Sequence, residues 1–227
     1  MPKLDLLVQF MTDYTSRRTI MVDTQVRPSD VTKFPIIDAM LSVPREAYMP
    51  DGKRDLAYVG AHVDLAPGRV VLDPRIQAKL LDVLDVTPAD LVLDLGPGLG
   101  YSTALLARMA EAVVAVEEDA AMASEAETTL GDQGVDNAAV IEAPLSEGSP
   151  KHGPYDVICI EGAIERLPEA IADQLKDGGR IAAIFMDGAL GECRIGLKHG
   201  GRISWRMAFN ATAPVLPGFE AVHSFEF

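Results

Sequence analysis

The chain has 227 residues, 48% of them hydrophobic, enough for one full core and at most a small appended subdomain. Its 34 acidic against 20 basic side chains give a net charge of -14, which excludes a nucleic-acid partner, because affinity for a phosphate backbone comes mainly from Lys and Arg displacing counterions. The opening "MPKLDLLVQFMTDY" carries Asp5 inside its apolar stretch and has no cleavage signature, and no later run is long enough to span a bilayer; the chain reads as cytoplasmic, with no membrane partner.

From residue 3 to about 60, apolar residues recur at helical spacing: Leu4, Leu7, Val8 and Met11, then Ile36, Ile37, Met40 and Leu41, with Ser29 and Pro35 as start signals. A Gly/Pro-marked connection, "APGRVVLDP", follows. Asp73 and Pro74 read as the N-cap and first position of a helix carrying Ile76, Leu80, Leu81 and Leu84. Strand-like runs at 91–95, 112–116, 138–141, 156–160 and 180–185 then alternate with helical patterns, which predicts a parallel sheet with crossover helices. The last stretch, "CRIGLKHGGRISWRMAF", is two strand-like runs around "KHGGR" and predicts an antiparallel hairpin, with Trp205 as packing. Cys159 and Cys193 each sit in an apolar run and read as reduced, buried thiols. His62, His152, His199 and His223 have no metal-ligand spacing and read as turn or surface residues; no metal site is predicted.

The segment "LVLDLGPGLGY" places Gly96, Gly98 and Gly100 between a predicted strand and the helical "STALLARMA". Glycines there let a ligand approach bare backbone and let the turn take left-handed φ values. The next strand ends at Glu117, where a carboxylate can accept hydrogen bonds from a ribose diol. Of Glu117, Glu118 and Asp119, one reads as that ligand and Asp119 as the cap of the next helix. Dinucleotide sites usually space their glycines G-x-G-x-x-G; the G-x-G-x-G spacing here fits S-adenosylmethionine better.

From about Met21 onward the chain resembles the protein-L-isoaspartate O-methyltransferase family of class I S-adenosylmethionine-dependent methyltransferases. The resembling segments are "DAMLSVPREAYMP", "LAYVGAHVDLAPG", "VLDLGPGLGYSTALLARMA", "PYDVICIEGAIERLPEAIADQLKDGGRIAAI" and "PVLPGFE". The resemblance implies an α/β fold: a Rossmann-like, mostly parallel sheet with antiparallel C-terminal strands and an N-terminal helical addition. Residues 1–75 would form that addition and the substrate-side segment of the same domain, and 76–227 the S-adenosylmethionine-binding core. The implied activity is methyl transfer to the carboxylate of isoaspartyl residues in damaged proteins. Asp94, Gly96, Pro97, Gly98 and Gly100 would meet the cofactor, together with Tyr101, Ser102, Glu117 and Glu118.

Three segments depart from the family pattern. Its "ISQP"-like segment becomes Val71-Leu72-Asp73-Pro74, which puts Leu72 at the hydroxyl position of the substrate site. Its "GDG" becomes Ala143-Pro144-Leu145, so Pro144 and Leu145 stand where an Asp would face the adenine. Its "TAAAP" becomes Glu161-Gly162-Ala163-Ile164-Glu165, a new carboxylate after an apolar run. Leu72, Asp73 and Glu161 are therefore the candidate catalytic positions, with Asp73 also explained as a cap and Glu161 as a solvated loop residue.

A substrate carboxylate is already ionised at neutral pH and needs no general base; the protein must position it and exclude water. With Leu72 unable to donate, Arg69 or Arg75 is the expected donor to that anion. A different methyl acceptor served by Glu161 as a base, a catalytically silent S-adenosylmethionine-binding protein and an NAD-dependent oxidoreductase are the alternatives. The oligomeric state stays open.

Overall fold

The computed structural model describes residues 14–221. The helical spacing of Leu4, Leu7, Val8 and Met11, and the reading of His223, lie outside the described residues. Helix α1 (14–21) runs into a π-helical turn, Val22–Val26, and a 3-10 turn, Arg27–Ser29. Ser29 does not start the next helix as its sequence suggests. Its hydroxyl donates to the Gln25 carbonyl at 2.7 Å, closing the turn behind it, and α2 (Phe34–Ser42) begins with Pro35 in its first turn. Pro fits there because the first helical N–H groups have no partner anyway.

The connection "APGRVVLDP" is more ordered than its composition suggests. It forms most of an antiparallel hairpin, β1 (Val63–Ala66) and β2 (Arg69–Val71), turned at Gly68 with φ 73° and separate from the main sheet. Helix α3 (Pro74–Leu84) follows, its apolar positions repeating at helical spacing toward the core.

The main sheet contains β3 (Leu91–Leu95), β4 (Ala112–Glu117), β5 (Ala138–Glu142), β6 (Tyr155–Ile164), β7 (Leu175–Asp187), β8 (Leu190–His199) and β9 (Arg202–Asn210). Their order is β5-β4-β3-β6-β7-β8-β9. The pairs from β5 to β7 are parallel and the last two antiparallel. Helices α4 (Tyr101–Ala107), α5 (Ala120–Asp132) and α6 (Glu169–Asp173) connect the parallel strands. The β8–β9 turn has Gly200 and Gly201 at φ 57° and 77°, the left-handed pair that a two-residue hairpin requires. Trp205 packs edge-on against Phe185, ring centroids 4.9 Å apart.

Alternate residues of the central strands feed two apolar clusters. Val92 and Val157 join Met21, Met40, Leu80 and Leu105 on one face, while Leu93, Leu95, Ile158 and Ile160 meet Leu145 and Phe219 on the other. Burial on both faces explains why these strands read as continuous apolar runs. Chain direction across the sheet reverses between β3 and β6, and crevices outside the carboxyl ends of strands at such a point are where α/β sheets bind ligands.

Candidate active site

The turn after β3 occupies that crevice. Gly96, Gly98 and Gly100 have φ of 77°, 60° and 95°, a region that side-chain-bearing residues rarely adopt. Gly98 is constrained twice, since a Cβ there would stand 2.3 Å from Leu65 Cδ1 of the β1–β2 hairpin. Asp94, fully buried at the end of β3, accepts from Ser102 Oγ and Thr103 Oγ1 at 2.7 Å each on Oδ2, while its Oδ1 has no partner among the described residues. Pro97 is buried within the turn. Tyr101 turns the other way, toward Tyr48 and the guanidinium of Arg45, whose carbon lies 4.7 Å from its ring centre.

Glu117 ends β4 with no exposure. Its Oε1 accepts from Arg69 Nη1 at 2.7 Å and from the Asp119 amide at 3.1 Å; its Oε2 accepts from Arg69 Nη2 at 2.5 Å and from the Gly98 amide at 3.0 Å. Asp119 caps α5 through the amides of Ala121 and Met122. Glu118 is half-buried and receives the Leu145 amide, which fastens the loop after β5. In that loop Pro144 is exposed, whereas Leu145 is buried and lies, with Leu216 and Arg69, against Gly96.

Glu161 is a strand residue rather than the end of a loop. β6 continues to Ile164 because Ala163 bridges Val215 and pairs with Ile184 of β7, leaving residues 160–162 opposite the single Ala183. In this bulge Glu161 is buried, and its Oε1 accepts from Gln77 Nε2 and Cys159 Sγ, both at 3.0 Å. Single donor atoms of Asp94, Cys159 and Glu161 all lie within 4.8 Å of one another. Burial, with the Glu161 charge second, pushes the Asp94 carboxyl well above the ordinary range. Burial raises Glu161 as well, partly offset by its bonds from Gln77 and Cys159, and holds the Cys159 thiol protonated.

Sequence reasoning missed Gln77. A polar residue beside Ile76 on the apolar face of α3 was the available signal. It also missed Arg45, fully buried, whose Nε and Nη2 donate to the carbonyls of Ala57 and Leu72 while Nη1 stays unpartnered among the described residues.

Leu72 lies in the apolar core with 1% exposure, so its side chain offers nothing to an anion. Asp73 serves as the cap of α3: its Oδ1 accepts from the amides of Arg75 and Ile76 at 2.7 and 3.3 Å. Its own amide donates to His62 Nδ1, and His62 Nε2 reaches the Thr212 carbonyl, so His62 ties the hairpin to the C-terminal segment. Asp73→Ala is expected to cost about 1 kcal/mol, a fall of about 2–4 °C in melting temperature by circular dichroism. Past this cap opens a groove of about 1010 Å³ between the start of α3 and the β7–β8 turn, lined by Arg75, Phe185, Asp187, Glu192, Arg194 and Thr212. Arg194 pairs with Glu192, while Arg75 is exposed and in no ion pair among the described residues. The two expected donors thus separate: Arg69 faces Glu117 and Arg75 faces the groove.

Comparison with known proteins agrees with this fold. The family described as protein-L-isoaspartate(D-aspartate) O-methyltransferase matches residues 17–186. Protein-L-isoaspartate O-methyltransferase 1 of Rhodopseudomonas palustris (strain HaA2) is 34% identical over 170 residues, 75% of this chain and 69% of that protein. The Koribacter versatilis (strain Ellin345) protein-L-isoaspartate O-methyltransferase is 32% identical over 193 residues, 85% and 87% of the two chains. A solved Plasmodium falciparum protein of the same description, in complex with S-adenosyl-L-homocysteine, superposes with a TM-score of 0.74 at 20% identity, covering 89% of this chain and 97% of that one. The chain belongs to the protein-L-isoaspartate(D-aspartate) O-methyltransferase family of S-adenosylmethionine-dependent protein carboxyl methyltransferases.

Proposed function

We propose that this chain holds S-adenosylmethionine over the turn Gly96–Gly100, with Glu117 toward the ribose, and takes an isoaspartyl carboxylate in the groove beside Arg75. The observation that carries the reading is the buried Glu117 carboxylate at the end of β4, bonded to the Gly98 amide beside three left-handed glycines. The donor chemistry fits the cofactor: an anionic acceptor for a diol, bare backbone for close approach, and the paired carboxyls of Asp94 and Glu161 for a cationic amino-acid end. In this conformation, however, Arg69, Leu65, Leu145 and Leu216 lie against the glycines.

S-adenosylmethionine, when bound, supplies an electrophilic methyl on a sulfonium. The residues of this chain position and desolvate. A carboxylate acceptor arrives ionised, so no proton need be removed and no general base is required of the site. Leu72 leaves the anion without the family hydroxyl. Arg75, at the first turn of α3 where the helix dipole also favours negative charge, takes over that role. The two free, buried thiols suit a reducing compartment, and no helix among the described residues is long and apolar enough to cross a membrane; cytoplasmic residence is part of this proposal.

The test is methyl transfer to an isoaspartyl peptide beside its normal aspartyl counterpart. Turnover is expected on the first alone, and Arg75→Ala is expected to lower kcat/KM by about tenfold or more, since a hydrogen bond to a charged group contributes about 1.5–3 kcal/mol. Equal labelling of both peptides, or of neither, overturns the acceptor assignment.

A further inference from the structure

A carboxylate offers about four lone-pair sites. In Glu117 four donors fill them: two from Arg69 and one each from the amides of Gly98 and Asp119. The two amides belong to the turn and to the strand end and cannot leave without rebuilding both. Arg69 can. It belongs to β2 of a two-stranded hairpin outside the main sheet, one residue past Gly68. The same hairpin seats Leu65 on Gly98. Leu65 stands at an irregularity of the β1–β2 ladder, between the paired residues Asp64 and Ala66. Arg69 Nη2 also comes within 3.5 Å of where a Gly96 Cβ would be, so its guanidinium covers the face of the turn that a nucleoside requires.

We propose that Arg69 is a latch: its guanidinium occupies on Glu117 the acceptor sites a ribose diol needs, so this conformation closes the nucleoside site until the arginine withdraws. This rests on the cofactor reading above and adds a control to it. The ion pair is nearly dry, with side-chain exposures of 7% and 0%, so salt hardly weakens it, and opening must be driven by the ligand's own contacts. Apparent affinity is then the intrinsic affinity multiplied by the open fraction. A site open in about one molecule in ten binds about tenfold more weakly than a site always open.

The experiment is calorimetric titration of S-adenosylhomocysteine into the full chain and into two variants, Arg69→Met and Arg69→Gln, each checked for folding by circular dichroism. Met keeps the apolar stem of the side chain and removes both the charge and the terminal nitrogens that contact Glu117, while Gln, equally short, keeps a polar N–H donor group without charge, so it remains informative if the Met variant fails to fold. The expected result is a dissociation constant lower by about tenfold or more in Arg69→Met, with a smaller change of the same sign in Arg69→Gln. Binding by the parent with unchanged or weaker binding by folded variants overturns the latch and leaves the cofactor reading standing. Absence of binding in all three overturns the cofactor reading and the latch together. Binding by the variants alone supports both.

Discussion

Glu117→Ala is expected to lower stability by about 3–5 kcal/mol and to abolish the rise in melting temperature that S-adenosylhomocysteine produces in the parent chain. The size follows from what remains. Arg69, nearly buried, loses its only ion-pair partner among the described residues, and the amides of Gly98 and Asp119 lose their acceptor. Breaking a buried pair from one side costs more than the pair contributes, because a charge stays behind in a poor solvent for it. At about 2–4 °C per kcal/mol for a chain of this size, the melting temperature should fall by roughly 10 °C. The double variant Glu117→Ala, Arg69→Met should recover much of that loss, since the stranded cation is gone, while staying unresponsive to the ligand. A double variant no more stable than Glu117→Ala would place the cost elsewhere, and a retained ligand response would remove Glu117 from the cofactor site.

Glu161→Gln is expected to act in the opposite direction on stability. Asp94 and Glu161 are buried close together, and burial raises both carboxyls. A carboxyl whose pKa is raised on folding binds more protons folded than unfolded, so stability is greatest below the unfolded value near 4 and falls as pH rises toward the folded one. Glutamine keeps an oxygen for Gln77 Nε2 and Cys159 Sγ and removes the charge. The variant should therefore melt higher than the parent at neutral pH by about 2–4 °C, for a gain on the order of 1 kcal/mol. That advantage should grow as pH rises above the unfolded value near 4. If Glu161 also serves the cationic end of the cofactor, the same variant should bind S-adenosylhomocysteine several-fold more weakly. A variant less stable than the parent at every pH would mean that the carboxylate is ionised and compensated in the folded chain.

Both predictions concern groups that local pattern placed without their partners. The strand-and-helix alternation, the antiparallel end at "KHGGR", the glycine turn, the Asp73 cap and the position of Glu117 at a strand end were all legible, because each depends on the spacing of a few consecutive residues. The β1–β2 hairpin was not, since "APGRVVLDP" is short and punctuated by Pro and Gly, and its second strand has only three residues, whose ladder partners lie upstream of that segment except for Ala66. Nor was the bulge in β6, which depends on the crossing segment at Val215.

The chain alone thus determined the fold class, the glycine turn after β3 and the carboxylate at the end of β4, because periodicity and turn chemistry are local properties. Only the tertiary structure decided what those residues touch. It set Arg69 on Glu117 across 48 positions and Gln77 on Glu161 across 84, sent Tyr101 toward Tyr48, and left Arg75 facing the groove. The reason is that a carboxylate removed from water must find donors wherever the strand order brings them, and strand order depends on how the whole sheet buries its two faces.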